Sequence, residues 1–185
     1  MALTIRDACA GDLMAVAALY SREVLNGTAT FELEPPTVEE MGRRFAAVAR
    51  QGLPWLVAEV EGAFAGYAYA SPFRPRPAYR YGVEVSIYVE ETARGRGVGR
   101  ALLEALIGRV RDLRLRHLIA AISDSETSAA SVALHRAFGF RDAGVYRQVG
   151  WKFDRWLDVT LMQLDLAPEG EPPAGPGLDR TGGLA

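Results

Sequence analysis

Apolar and polar positions change period several times along the chain. Leu3-Thr4-Ile5-Arg6 alternates and predicts a short first strand. After Ala10-Gly11-Asp12, the run LMAVAALYSREVL has helical spacing, with Asp12 placed to cap its start. NGTATFELEPPT follows neither period and reads as a connection. VEEMGRRFAAVAR returns to helical spacing, with Thr37 as N-cap and Glu40 at the reciprocal position of a capping box. PWLVAEVEGAFAGYAYA then predicts two strands joined near Glu61-Gly62. Three prolines in SPFRPRPAY discourage regular structure. YGVEVSIYV predicts the next strand.

Residues 98–113 place Val98, Ala101, Leu102, Ala105, Leu106, Val110 and Leu113 at amphipathic helix spacing. HLIAAIS predicts a strand, and SETSAASVALHRAFGF a helix that stops at Gly139. Residues 140–166 read as strand-rich. This mixture predicts one α/β domain (α+β in some schemes) over residues 1–168, not a helical bundle. Residues 169–185 hold five glycines, three prolines and few large apolar residues. They are expected to form a flexible tail that adds little to the core.

Composition narrows the function classes. The chain has 185 residues, 49% of them apolar, and a formal charge of −2. No global field commits it to nucleic acid. The charge is uneven, with seven arginines between residues 94 and 116 against Glu104 and Asp112. Cys9 is the single cysteine, so an intrachain disulfide and a cysteine metal cluster are excluded. It belongs to no Cys/His constellation that would make it a nucleophile. His117 and His135 form no close metal motif, and no catalytic metal is expected. The opening MALTIRDACAGDL lacks the long apolar region of a signal peptide, and no apolar run is long enough for a spanning helix. A cytoplasmic protein with no membrane partner is the expectation.

The most informative stretch is Arg94-Gly95-Arg96-Gly97-Val98-Gly99-Arg100, between a predicted strand and a predicted helix. Glycines permit tight turns and close ligand approach. The helix that follows exposes backbone N–H groups at its positive end, and neighbouring arginines add charge. Together these make a phosphate cradle. GxxxxGK[ST] is absent, and Arg100 occupies the place of the last glycine in GxGxxG. An Arg/Gly patch on RNA and a purely structural turn are the competing readings.

Arg94-x-x-Gly97-x-Gly99, placed between strand and helix, resembles the acyl-CoA pyrophosphate loop of the GNAT acetyltransferase superfamily. TATFELEPPT, PWLVAEVEG, GYAYASPFRPRPAY, VEVSIYV, SVALHRAFGF and GWKFDRW, in that order, resemble the phosphinothricin and related amino-acid N-acetyltransferase branch over roughly residues 3–166. The resemblance implies a central mixed, mostly antiparallel sheet flanked by helices, acetyl-CoA as acyl donor, and a homodimer. It implies transfer of acetyl to the primary amine of a small amino acid or analogue such as phosphinothricin or methionine sulfoximine or sulfone. Acetylation of a peptide amine is the nearest alternative. An RNA-binding module without acetyl transfer is the alternative from another class.

Acetyl transfer needs a neutral amine, so a proton acceptor must stand near it. Glu84 interrupts an apolar strand and is the candidate base, a role that also follows from the VEVSIYV resemblance. Under the resemblance Val89 and residues 94–100 hold the donor. Arg96 and Arg100 are electrostatic contacts, and Arg94 either contacts phosphate or braces the loop. Ser128, Ser131 and His135 share one helical face, which is open to water, CoA or the acceptor. His135 stands where many relatives have a tyrosine near the leaving thiolate, either to donate a proton or to orient a ligand. Ser128 replaces the branch's usual asparagine. Phe31, Glu34, Arg76 and Tyr79 are the expected acceptor contacts, with Lys152 binding an acidic group. Trp156 is divided between packing and site closure, and Trp151 is expected in the core.

Overall fold

The computed structural model describes residues 2–124 and 127–179. Among these described residues seven strands form one sheet: β1 (Leu3–Asp7), β2 (Trp55–Val60), β3 (Ala63–Pro72), β4 (Gly82–Val89), β5 (His117–Ser123), β6 (Arg141–Lys152) and β7 (Arg155–Asp165). Their order in space is β1-β2-β3-β4-β5-β7-β6. Among the described residues only β4 and β5 pair in parallel, and every other neighbouring pair is antiparallel. The mixed, mostly antiparallel sheet is therefore present as expected.

Local chemistry explains most element ends. Glu61 and Gly62 both have positive φ, 51° and 79°, which turns β2 tightly into β3. Phe153 and Asp154, at 53° and 54°, do the same between β6 and β7. Helices α1 (Leu13–Asn26), α2 (Val38–Arg50), α3 (Val98–Asp112) and α4 (Ala129–Ala137) complete the fold. At α2, the Thr37 side chain accepts from the Glu40 N–H at 3.1 Å, while the Glu40 carboxylate turns to Arg43 and Arg44. Only half of the expected capping box forms. Gly139 closes α4 with φ of 87°.

Asp12 is a correction. It has helical backbone angles and no cap bond, because a 3-10 turn at Ala10–Asp12 already leads the chain into α1. Its carboxylate turns back to Arg6, at 2.8 and 2.7 Å, and accepts from the Cys9 N–H. The Arg6 bonds hold its pKa down to about 2.

The stripe predicted for α3 enters the core with two changes: Leu103 and Ile107 are buried beside it, and Leu113 falls past the helix end and is 43% exposed. α3 buries Val98, Leu102, Leu103, Leu106, Ile107 and Val110 against β1–β4. α1 packs on α2 and on β3 and β4, and α4 meets β5. Trp151 departs from the expected burial. It is 51% exposed, edge-on to Trp156 at 5.1 Å, because β6 is the last strand of the sheet.

The segment read as a tail lies against the domain over its described part. The Leu178 N–H donates to the Arg80 carbonyl, and Leu178 is buried in the main core cluster. Arg116 donates to the carbonyls of Pro168 and Glu171. Residues 180–185 lie outside the described residues. Among the described residues no helix is long and apolar enough to cross a membrane.

Candidate active site

β4 and β5 pair only from Gly82↔His117 to Glu84↔Ile119. Beyond those rungs β4 continues to Val89 against β3, and β5 to Ser123 against β7. The strands therefore part after Glu84 and leave a wedge within the sheet. An open cavity of about 800 Å³ occupies it. Glu84, Ser86 and Tyr88 of β4 line it, with residues 120–123 of β5 opposite. Ser128, Ser131 and His135 enter from α4, as helical spacing predicts. The 26–31 connection, Tyr20 and Tyr69 close the other side.

Glu84 sits at the vertex, half-buried. Burial raises its pKa above the usual carboxylate value, and the positive charge of Arg74 partly opposes the rise. Its carboxylate makes no hydrogen bond to the described residues, so its lone pairs face the cavity unspent. That is the state of a group able to take a proton from an amine or from water.

The ladder also orients the side that leads into the Arg/Gly loop. Glu90 donates its N–H to the Ala65 carbonyl on β3. Alternation along the strand turns the neighbouring Val89 N–H to the opposite, open side. The chain then makes a short 3-10 turn at Glu91–Ala93 and enters the Arg/Gly loop. Gly95 and Gly97 adopt φ of 72° and 83°, and no atom lies within 4 Å of where a Cβ would stand. Gly97 caps α3, whose first i→i−4 bond runs from the Ala101 N–H to the Gly97 carbonyl at 3.0 Å. Val98, Gly99 and Arg100 thus present first-turn N–H groups with no acceptor four residues back. An anionic group fits such a crest.

The arginines divide their work. Arg94 lines the cavity and ties the loop to α1, donating to Glu23 at 2.7 Å and to the Val89 carbonyl at 3.4 Å. Arg100 stacks over Phe138 at 5.0 Å, and Arg96 is exposed on the loop.

On the acceptor side, only Phe31 of the expected group lines the cavity. Glu34 and Arg76 are exposed beyond it, and Tyr79 packs edge-on to Phe73 at 5.7 Å. Arg74, two positions before the expected Arg76, is the arginine whose charge reaches Glu84. Lys152 is buried and donates to backbone carbonyls, away from the lining; burial lowers its pKa. Trp156 is exposed on the β6–β7 hairpin. Sequence reasoning missed Tyr20, Tyr69, Ser123 and Arg155, which do line the cavity. Tyr69 lies across the ladder from Ser86 and bonds to it. Strand register, which periodicity does not supply, was the signal needed to find it.

Comparison with known proteins adds the lineage. Residues 5–161 match the family described as acetyltransferase (GNAT) domain. The chain belongs to the GNAT acetyltransferase family. This GNAT protein is 49% identical over 165 residues to the phosphinothricin N-acetyltransferase of Alcaligenes faecalis, covering 89% of this chain and 83% of that one. It is 44% identical over 169 residues to the L-methionine sulfoximine/L-methionine sulfone acetyltransferase of Pseudomonas aeruginosa, covering 91% and 97%. Its fold matches the crystal structure of a GNAT phosphinothricin acetyltransferase from Sinorhizobium meliloti in complex with acetyl-CoA, with TM-score 0.90, 44% identity and 98% of each chain covered. The sheet with its parting strands is accordingly the GNAT fold.

Proposed function

We propose that this protein transfers the acetyl group of acetyl-CoA to the primary amine of a small amino acid or analogue, with phosphinothricin and methionine sulfoximine or sulfone as candidate acceptors. The observation that carries the reading is Glu84, a half-buried carboxylate of raised pKa at the vertex of the wedge. The names of the relatives supply the acceptor class.

In this reading Glu84 takes the ammonium proton, directly or through water, and the freed lone pair attacks the acetyl carbonyl. The Val89 N–H supports negative charge on the carbonyl oxygen. The first-turn N–H groups of α3 and the glycines at 95, 97 and 99 bind the diphosphate of the donor. Acetyl-CoA supplies an activated acyl group with a thiolate as leaving group. Ser128, Ser131 and His135 border that end of the cavity, and Phe31 borders the acceptor. A homodimer is part of the reading, supported by exposed Val145, Tyr146, Val149, Trp151 and Trp156 on the edge hairpin. A cytoplasmic setting suits the donor and the single exposed cysteine.

The test is an acetyl-CoA assay over amino acids, analogues and peptides, recording product mass and free thiol together. Acetylated amino-acid product with stoichiometric thiol is expected. Thiol release without acetyl product, or turnover of peptides alone, would overturn the acceptor assignment. Sedimentation of the purified chain tests the dimer.

A further inference from the structure

The 27–31 segment lines the acceptor side of the cavity but has no helix or strand of its own. Something outside it must fix its shape. Two residues on one face of β6 do so, two positions apart.

Lys152 is the first. Its Nζ donates to the Gly27 carbonyl at 2.8 Å, the Thr30 carbonyl at 2.8 Å and the Glu23 carbonyl at 3.4 Å. An ammonium has three protons and no acceptor. All three are directed to backbone oxygens, and the side chain is 3% exposed. The Glu23 carbonyl already accepts the last helical bond of α1, from the Gly27 N–H at 3.0 Å, and Gly27 is the first residue past the helix, where a cation is favoured. The acceptor at 30 belongs to the segment itself. One ammonium therefore fixes both where α1 ends and where the connection goes next.

Gly150 is the second. A Cβ there would lie 2.2 Å from the Phe31 ring, so the ring rests on bare backbone. The glycine is needed for room and not for an unusual φ. From the far side, the Ser123 hydroxyl on β5 donates to the Thr28 carbonyl. The segment is thus held at both flanks, with Phe31 seated on β6.

We propose that Lys152 and Gly150 are positioning residues for the acceptor: they hold the 27–31 segment so that Phe31 forms one wall of the amine's binding space. Lys152 then acts on substrate through the loop and not by contact, which separates it from an ion-pairing role toward an acidic acceptor. The inference rests on the acetyl-transfer reading above.

The experiment compares the parent protein with Lys152→Met, Gly150→Ala, Phe31→Ala and the Lys152→Met/Phe31→Ala double variant. The amine is the amino-acid analogue that the parent turns over fastest, and each substrate is varied in turn. The amine KM is expected to rise roughly tenfold in Lys152→Met and Gly150→Ala, because small misplacements of a binding wall are costly. The acetyl-CoA KM should stay within about twofold, since Lys152 meets Glu23 only at its backbone carbonyl, through the longest of its three bonds, while the carboxylate keeps Arg94. The double variant should be no worse than Phe31→Ala, because the ring's contribution is already lost. Hydrogen exchange gives a reading independent of turnover: amides 27–31 should exchange faster in Lys152→Met while β4 keeps its protection.

A parent amine KM in folded Lys152→Met, a parallel rise of both KM values, or fully additive losses in the double variant would each overturn the proposal. If Lys152→Met does not fold, Gly150→Ala decides on the same criteria. Failure of the parent to acetylate any amine would instead sink the acetyl-transfer reading, and the exchange result would still report whether Lys152 holds the segment.

Discussion

His135 Nδ1 lies 2.8 Å from the Ser131 carbonyl oxygen, one helical turn back. A carbonyl only accepts, so Nδ1 carries the proton. Nε2 is then the unprotonated nitrogen, and it is buried without a hydrogen-bond partner among the described residues. Burial also pushes the imidazole pKa below its ordinary value. A neutral ring with an unpaired Nε2 accepts a hydrogen bond more readily than it gives up a proton. His135→Gln is therefore expected to cost about tenfold in kcat, below the hundredfold or more of a removed proton-transfer group. Loss of a thousandfold would return His135 to direct acid catalysis.

The same depressed pKa has a stability consequence. The unfolded histidine binds a proton near pH 6.5, while the folded one resists it. Stability should therefore fall as pH drops from about 6.5 through the folded pKa. Urea unfolding across that range should show the slope in the parent and a shallower slope in His135→Gln.

Glu84 must be ionised to act as base, and its raised pKa moves the acid limb of kcat/KM to higher pH than an ordinary glutamate would give. Arg74 holds that limb down. Arg74→Gln should shift it further up, with the alkaline plateau little changed. Glu84→Gln should lower kcat by about a hundredfold or more at every pH. An unshifted limb in Arg74→Gln would mean that another group controls it.

Gly97 caps α3 at φ of 83°, with open space around it. Gly97→Ala therefore meets no clash and costs only backbone strain, on the order of 1 kcal/mol. Its effect on donor binding should be larger, seen as a raised acetyl-CoA KM beside an unchanged amine KM. The opposite split would remove the loop from donor binding.

Leu178 anchors the end of the described chain beside Arg80. Leu178→Ala should lower unfolding free energy by roughly 2 kcal/mol, at the low end for buried leucines. Parent stability in that variant would show that the segment adds nothing to the core.

Much of this was legible in sequence because each element carries its own signal. The turn at Glu61-Gly62 and the stop at Gly139 are local and lie where the residues put them, and the α3 stripe does so except at Leu113, which falls past the helix end. Ser128, Ser131 and His135 converge because one helix carries them. Trp151 escapes the burial that its large ring suggests, and only sheet order reveals that β6 is an edge. Lys152 marks a related limit: a lone charge suggests a ligand, and the carbonyls that surround it, more than 120 residues earlier, are set only by the fold. Arg74 and Arg76 are two positions apart, and sequence has no means of deciding which one faces Glu84.

The parting of β4 from β5 has one more consequence. Sheets normally leave unpaired backbone only along their outer borders, where it invites a second chain to add on. Here the Val85–Val89 stretch keeps β3 on one side and faces a gap on the other. The molecule has in effect moved a border to its centre. That recess can be completed by a slender molecule carrying amides of its own, while neighbouring strands and helices keep a foreign polypeptide from using it to aggregate.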